Sequence, residues 1–265
     1  MPELPEVETI KNELAPHVVG QKITGVTLLW EGIVRYLSAE EFRSRLRGQT
    51  ITELSRRGKY LIFSLDGGDL MIIHLRMTGT LWLKPPDRFT RAIIHLDNSD
   101  IFFRDPRKLG VMLLVEDRNT ILGELGPEPL EPDFTPQLLA RRLANRKAPI
   151  KALLLDQTFI AGIGNMYADE ALFAARIHPL RPANSLSPEE TTRLHDAIRQ
   201  VLLSGISNKG ASTETYFRPD GTTGTAHFRF QVAHRGGKPC PVCGTTIHRL
   251  AIRNRGTYFC PNCQH

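Results

Sequence analysis

Four cysteines lie in residues 240–265, spaced Cys240-x2-Cys243-x16-Cys260-x2-Cys263, and the chain has no others. Two CxxC knuckles at this separation supply four thiolates to one tetrahedral Zn²⁺, with room for a β-hairpin between them. Two disulfides would use the same residues, but they belong to oxidising compartments, and the N-terminus has neither the basic nor the apolar segment of a secretory leader. The expectation is a C-terminal zinc ribbon with one structural Zn²⁺. Four thiolates leave no open coordination position, so the metal would hold the fold and take no part in chemistry.

The other end of the chain is equally constrained. Met1-Pro2-Glu3-Leu4-Pro5-Glu6-Val7-Glu8 places Pro5 where a first helical residue belongs, and Val7, Ile10 and Leu14 then share one face of a helix expected to end before Pro16. Removal of the initiator methionine would leave Pro2 as a free secondary amine. An α-amine titrates near pH ~8, well below the ~10.4 of lysine, so part of it is neutral and nucleophilic at physiological pH. Glu3 lies beside it, able to move protons. Taken alone, the same residues also describe a plain helix cap.

Charge points to a polyanionic partner. The net charge is +6, and 41% of residues are hydrophobic, enough for about two domains with a sizeable core. No apolar run approaches the ~18 residues of a membrane span, so no membrane association is expected. Basic residues cluster at Arg43, Arg45 and Arg47; at Arg56, Arg57 and Lys59; at Arg104, Arg107 and Lys108; at Arg141, Arg142, Arg146, Lys147 and Lys151; and at Arg249, Arg253 and Arg255. Any one cluster can be a solvated face. Five of them, one inside a zinc ribbon, favour a nucleic acid.

Short strands are expected over residues 23–30, 60–65, 70–75, 92–96, 101–103 and 111–115, with Asp66-Gly67-Gly68 and Asp97-Asn98-Ser99-Asp100 as turns, which suggests a sandwich or barrel. Gly126 to Asp133 carries three prolines and reads as a linker. Helices then follow near 136–145, 150–156, 165–175 and 188–204. Ser187, Pro188 and Glu190 form a capping box for the last, with Leu194, Ile198, Val201 and Leu202 facing inward and Gly205 at its exit. Ala161-Gly-Ile-Gly-Asn165 makes a glycine turn into a helix N-terminus. Such a turn suits a phosphate, though helix-to-helix turns need glycine in any case. Residues 207–227 are polar, rich in Gly and Thr, and expected to be mobile.

Taken in order, Pro2-Glu3-Leu-Pro-Glu6, Gly58-Lys59-Tyr60, His74-Leu-Arg-Met77-Thr-Gly79, Asp105-Pro-Arg107-Lys108-Leu-Gly110, Gly162-Ile-Gly-Asn165 and the cysteine ribbon make the chain resemble the bacterial formamidopyrimidine-DNA glycosylases from residue 2 to residue 264. The resemblance implies an α+β multidomain fold. An N-terminal helix plus β-sandwich forms the catalytic domain (1–132), a helix-two-turn-helix domain with a mobile loop follows (133–226), and a zinc-ribbon β-hairpin ends the chain (227–265). It also implies a bifunctional glycosylase and abasic-site lyase of base-excision repair that acts on oxidised purines, 8-oxoguanine and formamidopyrimidines, in double-stranded DNA. The expected setting is a monomer in the bacterial cytoplasm, active at the nucleoid.

The roles that resemblance implies are specific. Pro2 would attack the sugar C1′, Glu3 would protonate the opening ring, and Glu6 would support the base or the terminus. Lys59 would serve β-elimination and Arg255 δ-elimination. Met77, Arg107 and Leu109 would fill the gap left by the extruded base, since a base inside a duplex must be flipped out before chemistry. His74, Lys108, Lys147, Lys151 and Asn165 would hold phosphates. Leu109 departs from the family's aromatic residue, and Asp220-Gly221-Thr222 departs from a lysine found in some members, which bears on opposite-base choice and lesion range. Oxidised pyrimidines as substrate, and a catalytically silent zinc-ribbon DNA binder, are the competing readings.

Overall fold

The computed structural model describes residues 1–213 and 215–265. The expected mobile stretch 207–227 includes Glu214, which lies outside the described residues. By its contacts the chain forms two compact units: residues 1–124 with 206–227, and residues 125–205 with 228–265. The segment 206–227, grouped with the helices in the sequence reading, thus packs with the N-terminal unit, and the zinc hairpin packs with the helical one.

The first unit opens with α1 (Leu4–Val18), then β1 (Ile23–Leu28), α2 (Ala39–Leu46), β2 (Ile51–Arg57), β3 (Tyr60–Leu65), β4 (Leu70–His74), β5 (Thr80–Trp82), β6 (Thr90–Leu96), β7 (Asp100–Arg104), β8 (Val111–Val115) and the short α3 (Asn119–Leu122). Its strands make two four-stranded sheets, ordered β1-β6-β7-β5 and β2-β3-β4-β8, and every pairing within them is antiparallel. Alternation along the strands turns Leu61, Phe63, Met71, Ile73, Met112 and Leu114 of one sheet, and Val26, Ile94, Ile101 and Phe103 of the other, into a shared core. Val7, Ile10 and Leu14 of α1 are fully buried in it, each contributing about 1.5–3 kcal/mol through burial.

Several local expectations change. α1 continues through Pro16 to Val18. A proline in the last turn removes only one internal N–H, and burying Val18 offsets that loss. α2, β2 and β5 were not anticipated, because β2 carries few apolar residues and β5 spans three positions. For α2 a signal was present in Ser38-x-x-Glu41, where the Glu41 N–H donates to Ser38 Oγ at 3.1 Å.

The second unit holds α4 (Pro136–Leu143), α5 (Ile150–Leu154), α6 (Asn165–Ala174), α7 (Pro188–Ser207) and the hairpin β9 (His248–Ile252) with β10 (Arg255–Phe259). The capping box of α7 forms as expected, with Glu190 N–H on Ser187 Oγ at 3.2 Å and Ser187 N–H on Glu190 Oε2 at 2.9 Å. Gly205, expected at the exit, lies inside the helix: a Cβ there would sit 2.6 Å from the Tyr167 ring. The glycine serves close packing and does not end the helix. Gly126–Asp133 is not a loose linker, since Gly126 N–H donates to Gln157 O and Pro127 O accepts from Ala161 N–H.

Candidate active site

At the head of α1, Pro2 is buried, and Glu3 and Glu6 are 2% and 0% exposed. The Glu3 backbone N–H donates to Glu6 Oε2 at 2.8 Å, half of a capping box in which Glu3 is the N-cap. Glu6 Oε1 accepts the Ala211 N–H at 2.8 Å. Glu6 therefore ties the chain terminus to the 206–227 segment. That segment is itself pinned: the Thr80 hydroxyl donates to Phe217 O, and Arg218 forks onto Glu13 with bonds of 2.7 to 3.0 Å. Thr222 donates its hydroxyl to Asp220 Oδ1 within a tight turn.

Lys59 sits in the two-residue turn between β2 and β3, where Gly58 has φ +57. A type II′ hairpin asks for glycine at that first central position. Arg56 clamps the turn, donating to Gly58 O at 2.9 Å and to Glu8 Oε2 of α1 at 2.7 Å. Burial pushes the Glu8 carboxyl up, but the bonds from Lys11 and Arg56 outweigh it and hold the group below its ordinary range.

His74, on β4 opposite Tyr60, meets that ring edge-on at 4.5 Å between centroids. Its Nδ1 accepts the Arg76 backbone N–H at 2.9 Å, which leaves the ring proton on Nε2 as a donor. Burial, then the charges of Arg76 and Lys59, depress its pKa from 6.5 to about 3. A neutral Nε2–H donor is what a phosphate oxygen accepts. The unfolded chain binds the proton more tightly than the folded one, so this group's stabilisation is complete above pH 6.5 and is lost as the pH falls toward 3. Acid titration of the wild type against His74→Phe should show that difference, a few kcal/mol at most. Parallel stability curves for the two proteins across this window would refute it.

Asp105, which no sequence argument assigned a role, organises the two loops that carry Met77, Arg107 and Leu109. It is fully buried, and its Oδ2 accepts the backbone N–H groups of Leu109 and Gly110, each at 2.7 Å. Oδ1 accepts Arg107 N–H at 3.2 Å and the Thr78 hydroxyl, next to Met77. One carboxylate thus sets Arg107, Leu109 and the Met77 segment together. Arg107, Lys108 and Leu109 are exposed, with Lys108 at φ +56, and Met77 is half-buried. An amide offers one acceptor oxygen where the loops present four donors. Asp105→Asn should cost about 3 kcal/mol, from charged hydrogen bonds of ~1.5–3 kcal/mol each, in a urea unfolding measurement. An unchanged midpoint would show that the loops hold themselves.

In the second unit Asn165 is the first residue of α6, with Gly164 as N-cap. Its Nδ2 donates to Gly256 O at 2.8 Å, beside Arg255 at the start of β10. The turn leading to it is braced by Gln157, whose Oε1 accepts the Gly162 N–H at 2.9 Å. Arg253 and Asn254, both at positive φ, form the two-residue tip of the hairpin, and Arg255 is exposed. Lys147 is exposed as well. Lys151 is a correction: it is 0% exposed and donates to Asp169 Oδ1 at 2.5 Å. The other Asp169 oxygen accepts the Tyr258 N–H of β10 at 3.1 Å. A buried ammonium of this kind braces the hairpin through its carboxylate partner and presents no surface to a phosphate.

The four cysteine Sγ atoms lie within 4.8 Å of one another, with Cys240–Cys263 at 3.9 Å and Cys243–Cys260 at 3.5 Å. A tetrahedral Zn²⁺ with ~2.3 Å bonds needs sulfurs about 3.8 Å apart, so the donor set fits one ion.

Comparison with known proteins agrees with this geometry. Residues 1–112 match the formamidopyrimidine-DNA glycosylase N-terminal domain, residues 125–216 its H2TH domain, and residues 237–265 the zinc finger found in FPG and IleRS. Formamidopyrimidine-DNA glycosylase of Symbiobacterium thermophilum is 46% identical, over 100% of this chain and 89% of the relative. That of Chloroflexus aurantiacus is 47% identical, over 100% and 98%. The MutM (Fpg) protein of Thermus thermophilus superposes with a TM-score of 0.92 at 43% identity, over 99% of this chain and 98% of the other. A Lactococcus lactis Fpg mutant in complex with DNA containing Fapy-dG gives 0.93 at 36% identity, over 100% of both.

Proposed function

Because the chain belongs to the formamidopyrimidine-DNA glycosylase family, we propose that it excises oxidised purines from double-stranded DNA and then cleaves the strand through a Schiff base on Pro2. The observation that carries this reading is the buried Pro2-Glu3-Glu6 head of α1, held by the Glu3–Glu6 and Glu6–Ala211 hydrogen bonds. A plain helix cap has no need of a second segment fastened to it.

In this reading the Pro2 nitrogen, freed of Met1, attacks C1′ of the damaged nucleotide, and the base departs with the glycosidic electrons. Glu3 protonates the ring oxygen as the sugar opens, giving an iminium between Pro2 and C1′. Loss of a C2′ proton then expels the 3′ phosphate, with Lys59 as proton carrier. A second elimination, served by Arg255, expels the 5′ phosphate. His74, Lys108, Lys147 and Asn165 hold backbone phosphates, and Met77, Arg107 and Leu109 occupy the vacated stack. Zn²⁺, when bound, gives the hairpin a fixed shape and no chemistry. The enzyme acts as a monomer in the cytoplasm, and among the described residues no helix is long and apolar enough to cross a membrane.

The test is a lesion panel under single-turnover conditions, with 8-oxoguanine, a formamidopyrimidine, oxidised pyrimidines and a preformed abasic site in one duplex context. Purine lesions excised about tenfold or more faster than pyrimidine lesions are the expected result. The reverse order would move the substrate class, and no cleavage of any duplex would leave only a DNA binder.

Leu109, 40% exposed, wedges without an aromatic face. Stacking on a base is worth ~1–3 kcal/mol, so Leu109→Phe should change the ratio of excision opposite cytosine to that opposite adenine by about fivefold or more. The same ratio in both proteins would count against a discriminating role for this position.

A further inference from the structure

One cavity of the first unit has no place in the reaction above. It is a half-open cleft of about 310 Å³, lined by Arg35, Tyr36, Tyr60 and Arg76 together with Val111 and Leu113. Among the described residues, none that lines it carries a carboxylate. Tyr36 is 81% exposed, far from the buried state an aromatic side chain usually finds, with φ at +69; Arg76 is at φ +54. Two bulky residues in the left-handed region are unfavourable, and such backbone outliers gather where a ligand is clamped. Tyr60, at the cavity's wall, packs on His74, so the cavity adjoins the residue proposed above to hold a phosphate.

Apolar side chains, an open aromatic ring and two guanidiniums together suit one kind of ligand: a flat heterocycle joined to a phosphate. Resting on the DNA-binding reading above, we propose that this cavity is a nucleotide subsite, taking one nucleotide beside the lesion that leaves the stack, with its base against Tyr36 and its phosphate between Arg35 and Arg76, the ring offsetting the unstacking. Arginine pairs with phosphate oxygens through two parallel donors, and an aromatic face accepts any base, so the subsite contributes affinity without sequence preference. It extends the footprint of the first unit beyond the lesion nucleotide.

The probe is a ladder of duplexes carrying a stable abasic analogue, shortened one nucleotide at a time on each strand and on each side, with affinity read by fluorescence anisotropy. Tyr36→Ala should weaken binding to the longest duplex about tenfold, and Tyr36→Phe, which keeps the ring, should not. The penalty should vanish at a single rung, where the occupying nucleotide is removed. Arg35→Ala should lower the slope of log affinity against log salt by about one phosphate contact. Tyr36 is exposed, so the variants are expected to fold, and their melting temperatures check it. Wild-type affinity in Tyr36→Ala, or a penalty that persists at every rung, would overturn the subsite. Borohydride trapping of the wild type on a long duplex carrying 8-oxoguanine separately tests the catalytic reading: an adduct with no rung effect removes the subsite alone, whereas wild type that neither binds nor traps removes both.

Discussion

Protein that keeps Met1 is expected to form no borohydride-trapped adduct with a duplex carrying 8-oxoguanine opposite cytosine, while the processed protein forms one readily. With Met1 attached, the Pro2 nitrogen belongs to a peptide bond, and its lone pair is delocalised into the carbonyl. It cannot attack C1′. Only cleavage after Met1 turns that atom into a secondary amine with a pKa near ~8. The loss in trapping should be on the order of 10³-fold or more, the scale seen when an enzyme's nucleophile is removed. Pro2→Gly serves as the graded control: a primary amine remains, but without the ring that fixes φ and fills the buried position at the head of α1. Since Glu3 and Glu6 are held by backbone hydrogen bonds, the variant's fold should survive, and DNA affinity should separate lost chemistry from lost binding. Equal trapping by the Met1-bearing and processed proteins would move the nucleophile elsewhere, with Lys59 the first alternative.

Stripping the metal should have the second largest effect. Structural Zn²⁺ in small domains contributes ~10–16 kcal/mol of apparent binding energy, most of which becomes folding energy for the segment it closes. Cys260 is fully buried, and the small core around it contains Phe173, Val232 and Ile247. With chelator, or in Cys260→Ser, β9 and β10 should lose their pairing, and Arg249, Arg253 and Arg255 their fixed places. Duplex affinity should then fall about a hundredfold, through the loss of several phosphate contacts. Among the described residues the first unit contains no ligand of this site, so hydrogen exchange should locate the loss in residues 228–265 and spare β3 and β4. Undiminished binding by the zinc-free protein would mean that the hairpin arginines carry little of the affinity.

Legibility from sequence followed the range of the interaction. The Zn²⁺ site, the capping box of α7 and the strands β3 and β8 are legible at their places, because each is written in spacings of a few residues. α2 went unread although Ser38 and Glu41 mark its start, and β2 because its apolar residues are too few to show a period. The motif around Asp105 is visible as a string, but the carboxylate's work is not: its partners include Thr78, 27 residues earlier in the chain.

Lys151 shows the same limit from the opposite side. In sequence it is one more cation in a basic run; in the fold it is sealed against Asp169, whose carboxyl is pushed up to about 7 by burial despite the ammonium beside it. Composition says that a charge exists, and only packing says whether water reaches it. What sequence alone determined was local: four thiolates for one ion and the capping box that starts α7. Tertiary structure decided which charges are spent inside and which face outward, because a buried charge must find its partner among residues far away in the chain, where no local pattern records the pairing.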